Sequence, residues 1–230
     1  MPHTFDIAVI EGDGIGPEVT REAIRSVEAA AALDDATFEW TSYPWGTDHF
    51  FEHGQMAPDD FLDTLAKHDA ILLGAVGHPD VQDHLTLNGL LLPIRRRFDQ
   101  CVCLRASYLY DGVECPLRDK PPGSIDIQVF RENTEGEYAP VGGRLYAGTA
   151  HETVVQTNMF PRRGTERIIR AAFEYCVRRD QRKKVTSVTK SNAQSFGMVF
   201  WDEVFPVSYT HLRAHETPEP RGWRVEVEKK

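Results

Sequence analysis

The feature that most constrains this chain is an unbroken apolar run, Ala70 to Val76, which contains no polar side chain. Such a run is typical of a strand that is covered on both faces in a parallel sheet. Earlier in the chain, Ile7 to Ile10 are β-formers, Gly12 to Gly16 make a glycine-rich turn, and Pro17 suits the first position of a helix. This alternation predicts an α/β fold that begins βαβαβ.

The remaining elements are predicted from periodicity. In the first helix Val19, Ala23 and Val27 recur with Ile24 and Ala31 at three- and four-residue spacing, which predicts one buried stripe. Further strands are expected at residues 37–43, 100–105, 125–130 and 184–189. Helices are expected at 58–67, in the second half of 83–97, at 165–178 and at 193–205. Prolines and charges at 111–123 mark a connection. Glycine-rich, β-prone sequence at 137–157 predicts an exposed hairpin or arm.

Charge and hydropathy argue against two classes of partner. The net charge is -9, whereas binding to nucleic acid needs clustered Lys and Arg. No stretch approaches the roughly 18 apolar residues of a membrane span, and the N-terminus lacks the pattern of a secretory signal. We therefore expect a cytoplasmic protein with no nucleic-acid or membrane partner, whose four cysteines are buried free thiols.

Basic residues follow several predicted strands, where parallel sheets open into a crevice. Arg95 and Arg105 flank a helix-to-strand junction, and Arg131 directly follows another strand. A guanidinium holds a carboxylate by two parallel hydrogen bonds, so three of them would suit a dicarboxylic acid, although any single arginine can be a solvated surface residue. Lys190 follows the 184–189 strand and could carry a proton, or could be a surface lysine.

The Gly12–Gly16 turn lacks the dinucleotide-binding fingerprint, because Pro17 stands where a third glycine is required. Two interpretations remain open for this turn. It can be a plain structural turn, or a place where an anion or a ribose approaches bare backbone at the start of a helix.

Several motifs occur in the order of one known family. They are Glu11–Val19 (EGDGIGPEV), Gly89–Arg95 (GLLLPIR), Leu104–Arg105, Arg131–Tyr138 (RENTEGEY) and Thr189–Asn192 (TKSN). Across residues 6–205 the chain resembles the isocitrate and isopropylmalate dehydrogenase family, the β-decarboxylating dehydrogenases of 2-hydroxy acids. The Arg131–Tyr138 segment, with GGRLYAG at 142–148 and FWDEVF at 200–205, is most similar to the D-malate and tartrate dehydrogenase branch.

The resemblance implies a two-domain α/β subunit of the isopropylmalate-dehydrogenase type, outside the Rossmann class. Residues 1–99 would be the N-terminal part of the first domain and residues 100–206 the second domain, with a dimer arm near 138–157. The implied partners are a small dicarboxylate substrate and a second copy in a homodimer with shared active sites. The implied cofactors are NAD and Mg²⁺ or Mn²⁺.

The same resemblance implies a role for each matching residue in the oxidation, with possible decarboxylation, of a 2-hydroxy acid. Arg95, Arg105 and Arg131 would bind the substrate carboxylates. Lys190, reaching into the partner's site, would take the hydroxyl proton, and Tyr138 would protonate the enolate. Ile15 and Asn192 would contact the cofactor.

Substrate choice follows from the residues before Arg95. Isocitrate enzymes place a serine and an asparagine where this chain has Gly89 and Leu91, so isocitrate is disfavoured. An apolar Leu90–Leu91 pair could accept an isopropyl group, but the Arg131–Tyr138 segment departs from the isopropylmalate form. We expect D-malate or tartrate, with 3-isopropylmalate as the alternative, and leave open NAD or NADP.

The C-terminal end departs from the family. The metal-binding aspartates and the adenosine-binding loop would follow residue 205 and have no counterpart here, so no metal ligand is expected in this chain. Residues 207–230 are expected to be a non-family, artefactual tail, and the fold to be incomplete at its C-terminus. Such a chain is expected to be inactive alone, and a non-catalytic substrate-binding subunit is the alternative of another class.

Overall fold

The computed structural model describes residues 3–179 and 184–213. The chain divides into two compact units, residues 1–98 and residues 99–230, here called the N-terminal and C-terminal units. Within the described residues, no helix is both long and apolar enough to cross a membrane. The four cysteines are free, and each is half-buried rather than fully buried.

The N-terminal unit is built on a parallel sheet of three strands in the order β2–β1–β3. The strands are β1 (His3–Gly12), β2 (Ala36–Ser42) and β3 (Ala70–Ala75). Helix α1 (Gly16–Ala31) joins β1 to β2, and α2 (Thr47–His53) and α3 (Phe61–Leu65) lie between β2 and β3. The predicted βαβαβ order is confirmed, and α2 is an additional helix that the aromatic-rich sequence did not indicate.

A helical segment ends the N-terminal unit. It comprises α4 (Asp83–Thr86), a π-helical turn (Leu87–Leu91) and α5 (Leu92–Arg97). Its buried side chains join Ile10 of β1 and Leu65 of α3 in one hydrophobic core. That core fixes the position of α5, which carries Arg95.

The predicted buried stripe on α1 is wrong for two of its members. Val19 is 43% exposed and Val27 is 37% exposed, whereas the buried residues of the helix are Gly16 and Thr20. The reason is the close approach of α1 to β3, since an atom added at Gly74 would collide with the Thr20 hydroxyl. Small side chains therefore make the contact, and Val19 and Val27 are not covered by the described part of this unit.

The C-terminal unit contains two antiparallel pairs of strands and two long helices. Strand β4 (Val102–Tyr108) pairs with β5 (Asp126–Glu132), and β6 (Gly142–Leu145) pairs with β7 (Thr153–Gln156) in a fully exposed hairpin, as predicted. Helices α6 (Arg162–Arg179) and α7 (Gly197–Arg213) pack through an apolar cluster. Its buried members are Ile168, Ile169, Phe173, Val204 and Phe205.

Two sequence predictions fail around α7. Residues 184–189 form no strand, because no strand of the described chain pairs with them. Residues of this segment and of β5 line a cavity of about 610 Å³. Helix α7 begins at Gly197 rather than at Ala193, which leaves Phe196 90% exposed. The helix continues to Arg213, into the predicted 207–230 tail, most of which lies outside the described residues.

Candidate functional site

One face of the β4–β5 pair carries two of the three predicted substrate arginines. Side chains two apart on a strand share a face, and directly paired residues of antiparallel strands are neighbours on that face. Cys103 and Arg105 are two apart on β4, and Cys103 is paired with Arg131 of β5. The register therefore places Arg105 and Arg131, here called the arginine pair, on either side of Cys103.

Contacts bear this out. The Nε of Arg105 donates to the Cys103 Sγ at 3.4 Å, and an Nη of Arg131 donates to the same sulfur at 3.5 Å. Burial acts to raise the pKa of the Cys103 thiol, but the hydrogen bond from Arg105 and the positive charges of Arg131 and Arg105 outweigh it. The pKa of Cys103 is consequently below its ordinary value, which favours the thiolate.

Arg131 is held by two further side chains. Its Nη donates to the Asn133 Oδ1 at 3.2 Å, and Asn133, 5% exposed, donates in turn to the carbonyl of Gln100 at 3.1 Å. The guanidinium lies over the ring of Tyr138, 5.5 Å from its centroid. The Nε of Arg131 is buried without a hydrogen-bond partner among the described residues, which is unusual for a donor.

The opposite face of β5 anchors the segment that leads to Tyr138. Glu132 accepts hydrogen bonds from the backbone N–H groups of Thr134 and Glu135, at 3.0 and 2.7 Å, and from the Thr134 hydroxyl at 2.7 Å. Arg167 of α6 donates to Thr134 at 2.9 Å and to both carboxylate oxygens of Asp99, at 2.7 and 2.9 Å. This network ties the Arg131–Tyr138 segment to α6.

Glu135 completes the network at an electrostatic cost. Burial, the negative charge of Glu132 and, less strongly, that of Asp99 raise its pKa, and the positive charges of Arg167 and Arg163 oppose them. Gly164 at the start of α6 leaves room for this carboxyl group, because any side chain there would collide with it. Glu135 thus sits in a position that favours its neutral form.

The two predicted proton carriers, Tyr138 and Lys190, differ in their burial. Tyr138 is half-buried against Arg131, as described above. Lys190 and Asn192 are exposed on a turn in which the Lys190 carbonyl accepts from the N–H groups of Ala193 and Gln194. The structure therefore brings together Arg105, Arg131 and Tyr138, while Lys190 and Asn192 lie on a separate, solvent-facing segment of the C-terminal unit.

In the N-terminal unit, the Gly12–Gly16 turn is shaped by close packing of backbone. Side chains at Gly12 or Gly16 would collide with backbone oxygens of Ala75 and Glu11. These contacts support the structural-turn interpretation for both glycines. Ile15, the predicted cofactor contact, is 61% exposed just before α1, and Gly14 has open space around it.

Asp13 is a residue that the sequence did not single out. Its buried carboxylate accepts from the N–H and hydroxyl of Thr47, at 2.8 and 2.7 Å, and from the N–H of Gly77 at 2.8 Å. The carboxylate thus joins the β1 turn to the first residue of α2 and to the segment after β3. A pocket of about 280 Å³ lies beside it.

Arg95 is half-buried in the last turn of α5. Gly89, in the π-helical turn before it, lies against Met56, so a serine there would require Met56 to move. Leu90 is fully buried in the hydrophobic core, packed among residues such as Ile10 and Ile94. The predicted Leu90–Leu91 pair is therefore wrong as a substrate surface, because only Leu91 retains exposure.

No group of three or more His, Cys, Asp or Glu side chains that could hold a metal ion occurs within residues 3–179 and 184–213. The residues of the described chain thus do not fit a divalent ion by themselves. The open edge at Gly14 and Ile15 does leave space for a ligand at the start of α1.

Comparisons with known proteins match the chain to one family. The sequence pattern of the family described as isocitrate/isopropylmalate dehydrogenase matches residues 6–218. The chain is 51% identical over 209 residues to a decarboxylating D-malate dehydrogenase of Escherichia coli K12, covering 88% of this chain and 56% of that protein. It is 47% identical over 222 residues to a tartrate dehydrogenase/decarboxylase of Pseudomonas putida, covering 92% and 60%.

The fold agrees with a solved structure of the same kind. An isocitrate dehydrogenase from Methylococcus capsulatus superposes with a TM-score of 0.76 at 25% identity, covering 91% of this chain and 58% of that one. The α/β fold predicted from the sequence is thereby confirmed. The chain spans somewhat more than half the length of these relatives.

Proposed function

Because the chain belongs to the isocitrate/isopropylmalate dehydrogenase family, we propose that it serves the oxidation of a small 2-hydroxy dicarboxylic acid, D-malate or tartrate. The observation that carries this proposal is the arginine pair on one face of the β4–β5 sheet, with Tyr138 against Arg131. Two guanidinium groups on a common face suit a dianionic substrate. The family relatives with the highest identities quoted above act, by their names, on D-malate and tartrate.

Each predicted site residue has a part in the proposal. Arg105 and Arg131 bind the substrate carboxylates, and Arg95 of the N-terminal unit contributes a third guanidinium. Lys190 accepts the proton of the substrate hydroxyl as that carbon is oxidised. Tyr138 donates a proton to the carbon from which carbon dioxide has departed, where decarboxylation follows.

NAD, when bound, supplies the acceptor for the hydride of the hydroxyl-bearing carbon. Ile15 and Asn192 are the residues we propose to contact it, and both are exposed. A divalent ion, Mg²⁺ or Mn²⁺, is proposed from the family alone. The described residues do not form a site for it, and no step above depends on it.

A homodimer is proposed through the β6–β7 hairpin. All eight of its strand residues are exposed, and a two-stranded hairpin standing alone is marginally stable in water. Pairing with a second copy would cover its apolar side chains, which include Leu145, Val154 and Val155. We further propose a cytoplasmic location, which suits four unpaired cysteines.

The substrate ranking rests on the residues before Arg95. Gly89 provides no hydroxyl for a third carboxylate, and Met56 occupies the adjacent space, so isocitrate is disfavoured. Burial of Leu90 removes half of the apolar surface that would receive an isopropyl group, so 3-isopropylmalate remains a secondary candidate. D-malate and tartrate need neither feature.

A second candidate function is substrate binding without turnover by this chain. It is favoured by the lack of a metal-binding cluster in the described residues, while the arginine pair is intact. The two candidates differ in one measurable respect. Both predict dicarboxylate binding, and only the first predicts formation of NADH.

The test combines calorimetric binding with absorbance at 340 nm. The chain is mixed with D-malate, tartrate, 3-isopropylmalate or isocitrate, together with NAD or NADP and Mg²⁺ or Mn²⁺. We expect D-malate and tartrate to bind most tightly, and Arg131→Gln to weaken binding by about tenfold or more, since a half-buried charged hydrogen-bond donor is lost. Binding of none of the four acids would overturn both candidates.

Turnover separates the candidates further. If NADH forms, Lys190→Met should abolish it while leaving the Kd of the acid within about twofold, because the lysine acts on the reacting proton rather than on the carboxylates. Lys120→Met, at an exposed position in the same unit, is the matched control. Binding without NADH under any cofactor condition would favour the second candidate.

A further inference from the structure

The sulfur of Cys103 occupies the space between the two guanidinium groups of the arginine pair. It is half-buried and accepts from the Arg105 Nε at 3.4 Å and from an Arg131 Nη at 3.5 Å. No other side-chain hydrogen bond of Arg105 is recorded in the described structure, whereas Arg131 is also held by Asn133. This sulfur is therefore the side-chain hydrogen-bond acceptor that orients the exposed Arg105, and Tyr138 is a further electrostatic neighbour.

Long arginine side chains lose conformational freedom when they bind a ligand. Holding one in its bound geometry beforehand removes part of that cost, which is about 0.5 to 1.5 kcal/mol for each immobilised side chain. A single acceptor between two guanidinium groups can hold both. It also offsets part of the repulsion between two positive charges on one face of a sheet.

We propose that Cys103 is a positioning residue of the arginine pair, which fixes the spacing of Arg105 and Arg131 before a dicarboxylate binds. This inference rests on the proposed function, since it assigns the pair to carboxylate recognition. Cys103 is an addition to the proposed function, because it contacts the substrate-binding arginines and no reacting atom.

The chemistry of the thiol gives the proposal a distinctive signature. The charged groups that face Cys103 are Arg105 and Arg131, with Tyr138 beside Arg131. Both arginines favour the thiolate, and a bound dicarboxylate would disfavour it by competing for the same N–H donors. Deprotonation of Cys103 should therefore weaken dicarboxylate binding, and binding should slow any reaction of the thiolate.

The first experiment measures the thiol alone. Alkylation of the whole chain by iodoacetamide is followed from pH 6 to 9, with the extent at Cys103 and at the half-buried Cys115 quantified by peptide mass spectrometry. We expect Cys103 to react at least about threefold faster than Cys115 at pH 7, because the thiolate is the reactive form. Arg105→Gln and Arg131→Gln should each slow Cys103, whereas Arg144→Gln in the exposed hairpin should not.

The alkylation experiment tests whether Cys103 interacts with Arg105 and Arg131, and it does not depend on the proposed function. Equal titration of Cys103 and Cys115, or an unchanged Cys103 rate in both arginine variants, would overturn the proposal. If the coupling holds but saturating D-malate, tartrate and succinate all leave the Cys103 rate unchanged, the proposed function fails while the link between sulfur and arginines stands. The two failures are thus distinguishable.

The second experiment tests positioning. Cys103→Ala should weaken D-malate binding by about fivefold, and Cys103→Ser, whose hydroxyl oxygen also accepts, should recover most of it at pH 7. The wild-type chain should lose affinity as the pH rises to 9, and Cys103→Ser should not. Circular dichroism of each variant checks that the unit is folded. Wild-type affinity in a folded Cys103→Ala chain would contradict the inference.

Discussion

Single residues decide how the Arg131–Tyr138 segment is held. Glu132 and Arg131 are neighbours in sequence, yet strand geometry directs them to opposite faces of β5. Glu132 faces α6 and binds the turn that follows it, whereas Arg131 faces Cys103 and Tyr138. The same short sequence therefore supplies both the substrate contact and its anchor.

Replacing Glu135 by glutamine should stabilise the protein at neutral pH. The pKa of Glu135 is raised in the folded state. Glu135 therefore adds to the free energy of unfolding at low pH, and this contribution is lost as the pH rises past the ordinary glutamate range. At pH 7 we expect Glu135→Gln to melt roughly 2 °C higher than wild type. The difference should shrink as the pH falls to 4, as measured by thermal denaturation.

Glu174→Gln, at an exposed position on α6, provides the control and should show no such pH-dependent gain. A lower melting temperature for Glu135→Gln at pH 7 would mean that the attraction to Arg167 outweighs burial and the Glu132 charge. That result would contradict the assigned electrostatics.

Among the elements, the junction of β1, α1 and β3 depends on backbone proximity. Gly12, Gly16 and Gly74 each lie where an added carbon would collide with a backbone oxygen of a neighbouring segment. Asp13 adds hydrogen bonds to Thr47 and Gly77. The start of α1 is consequently fixed against the sheet by small residues and one buried carboxylate.

Two glycines of this turn make a matched test. Gly16→Ala places a carbon against the backbone oxygens of Glu11 and Ala75 and should cost about 3 kcal/mol of unfolding free energy. Gly14→Ala meets no atom within 4 Å but has a φ of +56°, which should cost about 1 kcal/mol. Both changes alter the unfolded chain alike, so the difference compares the collision at Gly16 with the φ strain at Gly14. Urea unfolding that shows equal losses would refute this account.

At the scale of the whole molecule, the exposed β6–β7 hairpin is the surface that we propose for dimerisation. Leu145 is 58% exposed, Tyr146 69%, Val154 61% and Val155 51%. Apolar side chains grouped in this way mark interaction surfaces more often than isolated ones do. The proposed homodimer would bury them against a second copy.

Sedimentation velocity of Val154→Lys tests that assembly. A lysine in the proposed interface should weaken dimerisation by about tenfold or more, because its charge would lose water without a partner. Leu33→Lys, at a position that is 86% exposed in the N-terminal unit, should leave the dimer intact. A wild-type chain that is monomeric at high concentration would disprove the hairpin dimer.

Local sequence patterns predicted much of this structure. The apolar run at 70–76 and the glycine turn at 12–16 fixed the βαβαβ beginning, because strand burial and turn conformation are largely local properties. The alternating face of β4 also determined that Cys103 and Arg105 would be neighbours. The spacing of Arg95, Arg105 and Arg131 indicated a dicarboxylic acid, and the family resemblance, with Tyr138 and Lys190, implied a hydroxy acid.

Contacts between distant segments decided the rest. Residues 184–189 have the composition of a strand but do not pair with any strand of the described chain, and a strand exists only when its backbone groups are paired with a neighbouring strand. Leu90 looked available to a substrate until core packing buried it. Cys103 became part of the site only through its pairing with Arg131 across the sheet, since register between strands is set by the whole buried face and not by either strand alone.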